Sequence, residues 1–373
     1  MPKVLIIKSN LEPYRLPFYS GLDRRLSKEG VSLSVAVPKH RCGSATGKWL
    51  HPVKGVELAF GSKKLCWQSA SRDARTADLI VVQQSARELI NYKLAALKQV
   101  SKYRLALWGH GTEFQRSWTT PITVALKTRL FNNVDYWFAY TPGVARIMER
   151  AGYPRERICV VFNSVDTQAE QKFHSCITEQ QKSAMRAELQ IPLDARVICY
   201  CGALYKAKRI DFLIEACSRL RRTGLDVHLL IIGEGAEKQR LLQMSVHEKW
   251  LHITGEARGE RKALLLGISR GIAIPGVVGL AAVDAFAHEC PLITTNIDGH
   301  GPEIEYLEDG VNGIKTADEI GKYTKGLSVL LTNDAVHDRL REGCHSAASR
   351  LTMANMIENF ASGVMTALKL PKR

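Results

Sequence analysis

The chain has 373 residues, 45% of them hydrophobic and 24% charged, enough for two domains with proper cores. A formal net charge of +15 points to phosphates or an anionic membrane surface as partners. Lys and Arg are scattered rather than gathered into blocks, and aromatics do not interleave with basic stripes, which argues against a nucleic-acid partner. The nine cysteines include no C-x-x-C pair, and Cys159, Cys199, Cys201 and Cys217 fall inside strand or helix patterns. That usage predicts reduced thiols in a cytosol. No charged leader with a long apolar stretch opens the sequence, and no run is long enough to span a bilayer. The expectation is a cytoplasmic protein, soluble or peripheral on the inner face of the cell membrane.

In chain order, short apolar runs alternate with helical patterns. Strands are predicted at residues 4–7, 31–38, 56–60, 79–83, 104–108, 136–140 and 158–162, and helices at 17–27, 88–100, 121–133 and 142–151. Pro13 and Pro17 mark the start of the first helix. Near-continuous apolar strands alternating with helices predict a parallel, doubly wound sheet. A polar stretch over residues 166–194, helical around 179–189, separates this half from a second αβ series. The second series places strands at 197–201, 227–232, 251–254, 271–274 and 292–295. Residues 352–368 form an amphipathic helix with Met353, Met356, Ile357, Phe360 and Val364 on one face. The expected organisation is an α/β chain with domains over 1–168 and 169–351. Residues 352–373 then pack back on the first domain as a crossing helix. Two such domains in tandem create a cleft at the C-terminal ends of their sheets, where ligands of open α/β sheets bind.

Three glycine-punctuated segments in the second half carry the chemistry. Cys201-Gly-Ala-Leu204 leads to Lys208, Arg209 and Asp211; Leu229-Leu-Ile-Ile-Gly-Glu-Gly235 follows; Pro275-Gly-Val-Val-Gly-Leu-Ala-Ala-Val-Asp284 runs on to Pro291-Leu-Ile-Thr-Thr295. Each joins an apolar run to glycine and opens into a helical pattern, which is how an α/β sheet offers backbone N–H groups to a phosphate. Cations at a helix start oppose the macrodipole, so Lys208 and Arg209 there call for a bound anion. A diphosphate is the expected ligand.

This ordered set resembles the C-terminal domain of glycosyltransferase family 4. The resemblance extends through Gly301-Pro-Glu303 to Gly310-Val-Asn-Gly313. Upstream, Val161-Phe-Asn-Ser-Val-Asp166 is similar to the segment closing the family's N-terminal domain, and Trp108-Gly-His-Gly111 to its active-site histidine segment. The resemblance implies a GT-B fold of two Rossmann-like domains facing across a cleft. It also implies a retaining glycosyltransferase. The enzyme would move a hexose-type sugar from a UDP- or GDP-sugar to a glycan or lipid-linked saccharide, in lipopolysaccharide or exopolysaccharide synthesis. No cofactor and no metal are expected; the nucleotide-sugar is the donor substrate, and cations and backbone dipoles neutralise the leaving diphosphate.

Residue by residue, the resemblance implies a catalytic set of His110, Lys208 and Arg209, with Lys208 on the phosphate-binding lysine. Donor contacts fall to Gly202, Gly233, Gly235, Gly276, Val278, Gly279, Leu280, Asp284 and Glu303. Gly233 and Gly235 shape the base-binding turn, or end a strand. Two departures stand out. Ala203 occupies the position of a family arginine, which Arg209, where glycine is common, is placed to replace. Gly276 occupies the place of the first of two acids eight positions apart, so backbone amides of 276–279 take over its sugar contact. Asp284 keeps the second, ribose-contacting carboxylate; an unpartnered acid among apolar neighbours would be costly. Glu303 is either a sugar contact or a helix-start acid, and His300 stands between glycines. Glu113 orients His110 or caps a turn. Tyr14 and Arg15 on the first loop are acceptor-binding candidates; for Arg15 a phosphate contact or a plain surface arginine are the alternatives. The sequence leaves two rivals open: an epimerase or hydrolase of the same fold, and a non-catalytic sugar-nucleotide-binding partner subunit.

Overall fold

The computed structural model describes residues 1–60, 63–85, 87–111 and 133–373. Glu113 and, up to residue 132, the expected helix over 121–133 lie outside the described residues. The chain divides into two compact units, residues 1–163 with 353–373, and residues 164–352.

The first unit is built on a seven-stranded, wholly parallel sheet. Its strands are β1 (Lys3–Ile7), β2 (Ser32–Pro38), β3 (Leu50–Val53), β6 (Leu79–Gln83), β7 (Arg104–Gly109), β8 (Tyr136–Ala139) and β9 (Ile158–Val160); β4 (Gly55–Phe60) and β5 (Lys63–Gln68) form a separate antiparallel hairpin. Residues 56–60, expected in the main sheet series, therefore belong to the hairpin. Gly55 lets the hairpin start close against the main sheet: a Cβ there would sit 2.7 Å from Pro38, at the end of β2. Sheet order is β3-β2-β1-β6-β7-β8-β9.

One face of this sheet packs on the helix Leu16–Ser27 and on the C-terminal helix Met353–Lys369. Met353, Met356, Phe360 and Val364 are buried there, as the predicted apolar stripe requires. Phe360 stacks on Phe138 with ring centroids 4.2 Å apart and meets Trp108 and Phe18 edge-on. Each aromatic pair adds on the order of 1 kcal/mol beyond its buried area.

The second unit carries a six-stranded parallel sheet of β10 (Arg196–Cys201), β11 (Val227–Ile232), β12 (Leu251–Gly255), β13 (Ile272–Ala273), β14 (Leu292–Thr295) and β15 (Gly313–Thr316). Its order, β12-β11-β10-β13-β14-β15, is that of a doubly wound dinucleotide-type sheet. Among the elements that escaped the sequence reading are β15 and the helix Thr167–Ser175, capped by Asp166 through Ala169 N–H. Both units are Rossmann-like, and each reverses strand direction of addition beside its first strand. In such sheets ligands bind at that switch point, beyond the C-terminal strand ends.

All nine cysteines are free thiols. Burial pushes Cys201, Cys217 and Cys290 up to about 12, so they behave as small apolar residues.

Candidate functional site

At the switch point of the second sheet, the loops leaving β10 and β13 face each other. After β10 the backbone at Gly202 takes φ 148°, a region that suits glycine. Across from it, a Cβ on Gly233 would lie 1.9 Å from Gly202 O, and one on Gly235 would lie 2.3 Å from Leu204 O. Gly202 N–H donates to Ile232 O and Leu204 N–H to Glu234 O. Both glycines are therefore needed to let two main chains touch.

The loop then makes a 3₁₀ turn, Lys206–Lys208, before the helix Ile210–Arg222 begins. Lys208 is buried, and its Nζ donates to Val277 O at 2.6 Å. Val277 N–H returns a bond to Ala207 O at 3.1 Å. The lysine segment and the 275–279 loop are thus sewn together by reciprocal bonds. Burial lowers the Lys208 ammonium from its ordinary pKa. One of its three N–H donors is spent on Val277, and the others remain available to an anion.

Gly276 has a reason of its own. A Cβ at this position would stand 2.1 Å from Ala207 O and 2.5 Å from Lys208 C. No side chain of any kind fits without moving the lysine's backbone.

Arg209 sits in the left-handed region at φ 56°, which explains why glycine suits this position. Its guanidinium reaches Asp318 Oδ1 at 2.5 Å and Thr295 Oγ1 at 3.4 Å, and lies over the Phe212 ring. The Arg209 guanidinium is therefore held by Asp318, just past β15, and by Thr295 at the end of β14.

Val278 N–H donates to His300 Nδ1 at 3.1 Å, and His300 Nε2–H donates to Thr295 O at 2.8 Å. These bonds fix one neutral tautomer, and burial lowers the imidazole's pKa accordingly. His300 is a brace for the 276–279 loop. Gly301 N–H closes on Val278 O at 2.7 Å, and the buried Glu303 carboxylate lies 3.8 Å from where a Gly279 Cβ would be. Leu280 opens the short helix Ala281–Ala287.

Asp284, on that helix, is not the unpartnered acid the sequence suggested. Lys262, from the helix Gly259–Gly267, donates to its Oδ1 at 3.2 Å and to Glu170 Oε2 at 2.9 Å. Glu170 also accepts from Nε2–H of the buried His288 at 2.9 Å. Burial opposes the lysine's charge, but the Asp284 and Glu170 carboxylates outweigh it and hold its pKa above the ordinary value. Lys262, Glu170 and His288 were missed in the sequence. The available signal was a lysine and a histidine set within otherwise apolar runs, Lys262-Ala-Leu-Leu-Leu266 and Ala285-Phe-Ala-His288.

In the first unit, the switch point lies between β1 and β6. Lys8, one residue past β1, is buried; its Nζ donates to Gln83 Oε1 at 2.9 Å and lies 3.8 Å from Glu12 Oε2 and 5.5 Å from the Trp108 ring. Burial lowers its pKa, and the neighbouring Glu12 opposes that. Arg15 is buried, which corrects the surface-arginine alternative. Its guanidinium donates to Asn163 Oδ1 and to Met356 Sδ and stacks on Tyr14 and Trp108. Tyr14 is exposed. His110 follows β7 and packs edge-on against Tyr140 at 4.9 Å. Gly111 N–H donates to Gln84 Oε1 at 2.7 Å, and a Cβ on Gly109 would collide with the same side chain. Gln84 thus sets the course of the histidine loop.

Residues 195–333 match the family model described as glycosyl transferases group 1. The chain is 25% identical over 230 residues to a lipopolysaccharide core biosynthesis glycosyltransferase of Rhizobium meliloti, covering 58% of this chain and 61% of that protein. The chain thus spans less than two thirds of that curated relative. Among solved structures, Anabaena HepE in complex with UDP superposes with a TM-score of 0.72 at 15% identity, covering 98% of this chain and all of that one. The apo lipopolysaccharide outer core galactosyltransferase WaaB gives 0.64 at 14% identity, over 97% and 99%. At such identities the likeness is one of fold. The chain has the GT-B fold throughout, and its residues 195–333 carry the match to the group 1 glycosyl transferases.

Proposed function

We propose that the protein is a retaining glycosyltransferase that moves a hexose-type sugar from a UDP- or GDP-sugar to a glycan or lipid-linked saccharide acceptor, in lipopolysaccharide or exopolysaccharide synthesis. One observation carries the donor half. The Lys208 segment and the Gly276–Leu280 loop flank the switch point of a Rossmann-like sheet and are bonded to each other there. A diphosphate at this edge meets the Lys208 ammonium and the positive end of the helix that starts at Ala281. As the glycosidic bond breaks, charge develops on the diphosphate, and a fixed cation with oriented N–H dipoles stabilises it. HepE's structure with UDP and the lipopolysaccharide relatives support the nucleotide and the acceptor class.

In this reading Asp284 accepts from the ribose, and Gly202, Gly233 and Gly235 let the nucleotide approach the main chain. Backbone groups of 276–279, with Glu303, meet the sugar. His110 contributes to the sugar contact, and Tyr14 and Arg15 belong to the acceptor side. The reaction runs without a resident metal, so transfer should persist in excess chelator.

The test is a thermal-shift panel of UDP, GDP, ADP and their sugars, followed by product analysis with saccharide acceptors. A nucleotide-specific rise in melting temperature together with transfer supports the reading. Hydrolysis or epimerisation without an acceptor would replace it with the first rival. Binding without turnover would favour the partner-subunit reading, which Ala203 and the space-free Gly276 specifically recommend.

Peripheral binding to an anionic inner-membrane surface belongs to the same proposal. It draws on the charge of +15 and on the first unit's hairpin, where Val56 and Leu58 are 54% and 44% exposed beside the exposed Lys54. Vesicles containing anionic lipid should retain the protein at low salt and release it at high salt; equal retention on neutral vesicles would remove the electrostatic part.

A further inference from the structure

Resting on the nucleotide-donor reading, we propose that Lys262 is a positioning residue. It holds Asp284 with one carboxylate oxygen occupied and the other open to the ribose hydroxyls of the donor, and is itself anchored by Glu170 and His288.

The network is graded from inside to outside. His288 is fully buried, Glu170 and Lys262 have side chains 19% and 10% exposed, and Asp284 stands at the accessible end at 28%. His288 can only donate to Glu170 through Nε2–H, since a carboxylate only accepts. Glu170 is thereby fixed from behind. Its Oε2 then fixes the Lys262 ammonium, which is left pointing a donor at Asp284 Oδ1. Asp284 Oδ2 has no partner among the described residues. Two carboxylates share one ammonium, so acceptor capacity is left over, and it lies at the exposed end.

Place matters as much as charge. Asp284 stands in the first turn of the helix that follows β13, so it lies at the C-terminal, ligand-binding edge of the sheet. A hydroxyl pair is the natural donor set for an oriented carboxylate oxygen, and an unrestrained aspartate would lose rotamer entropy on binding it. Lys262 removes that cost beforehand.

This differs from a simple stabilising ion pair in what it predicts for binding selectivity. The experiment measures, by titration calorimetry, the affinity of UDP against 2′-deoxy-UDP and 3′-deoxy-UDP, or of the GDP set if the panel above selects guanine. Wild type should prefer the ribo form by about tenfold or more over each deoxy form. Asp284→Asn should bring the ratio close to one. Lys262→Met, which keeps the apolar stem, should reduce the ratio at least threefold, and Lys262→Arg should restore most of it. Adding Lys262→Met to Asp284→Asn should change the ratio no further.

Circular dichroism and melting of each variant control for folding. If Lys262→Met fails to fold, Glu170→Gln, which loosens the ammonium while leaving it in place, should reduce the ratio in the same direction. A Lys262→Met protein that folds and keeps the full ribose preference, while Asp284→Asn loses it, overturns the proposal. Wild-type binding of nucleotide with no ribose preference also overturns it, yet leaves the donor reading standing. Absence of any nucleotide binding by wild type ends both.

Discussion

The two sheets share a winding pattern but furnish their ligand edges in opposite ways. At the edge of the second sheet, glycines let main chains touch: Gly233 on Gly202, Gly235 on Leu204, Gly276 on Ala207 and Lys208. Most polar groups there answer backbone partners, as Lys208 does with Val277 O and His300 with Val278 and Thr295. At the edge of the first sheet, long charged side chains are buried among aromatics: Lys8 over Trp108, Arg15 between Tyr14, Trp108 and Asn163. In the proposed reading, a ligand common to many sugar donors is served by main-chain geometry. Variable ligands call for side chains, which substitution can change without refolding a loop.

The contrast can be attacked most severely at Gly276. Restoring an acid by Gly276→Glu should abolish nucleotide binding and cost more than about 3 kcal/mol in urea unfolding, because the new Cβ overlaps the Ala207 carbonyl. A stable, better-binding variant would show that the loops are not pinned together. Next in size is Arg15→Leu. Removing its guanidinium takes a charged donor away from the buried Asn163 amide oxygen, with an expected loss of about 3 kcal/mol in urea unfolding. A loss of function with no loss of stability would instead make Arg15 an acceptor ligand only.

Lys208→Ala should weaken nucleotide-diphosphate binding by about 2 kcal/mol, roughly thirtyfold, and also lower the melting temperature, since it removes the bond to Val277 O. Unchanged affinity would take Lys208 out of the site. The smallest effect concerns the His228–His252 pair on β11 and β12, whose rings stack with Nδ1 of one 2.9 Å from Nε2 of the other. Burial, aided by His228, pulls His252 down to about 4. The unfolded chain therefore binds the proton first, so stability is complete above about pH 6.5 and is lost as pH falls toward 4. His252→Gln should flatten that slope by on the order of 1–2 kcal/mol at pH 4 in pH-resolved denaturation.

These same contacts show what the sequence could disclose. Most parallel strands of both units were legible because they are near-continuous apolar runs, and β10 and β11 fall where the pattern put them. The glycines at 202, 233 and 235 were legible because only close main-chain approach calls for them in that order. Strand β3, with a proline at position 52, and β15, with lysine and two polar or small residues in four, carry no such signal. The network of Glu170, Lys262, Asp284 and His288 was out of reach for another reason. Its members stand on or at the ends of three helices far apart in sequence, and of them only Asp284 was singled out; Glu170, Lys262 and His288 alone read as surface charges or a core histidine. Arg209's bond to Asp318 is hidden in the same way.

One feature of the first unit bears on how the protein comes into being. Phe360, Met356 and Val364 complete a core whose other walls, Phe18, Trp108 and Phe138, emerge from the ribosome long before them. The second unit can close while the first still waits for its last aromatic plug. During synthesis the earlier-made half should therefore mature later, its apolar socket staying open until the helix Met353–Lys369 has been made.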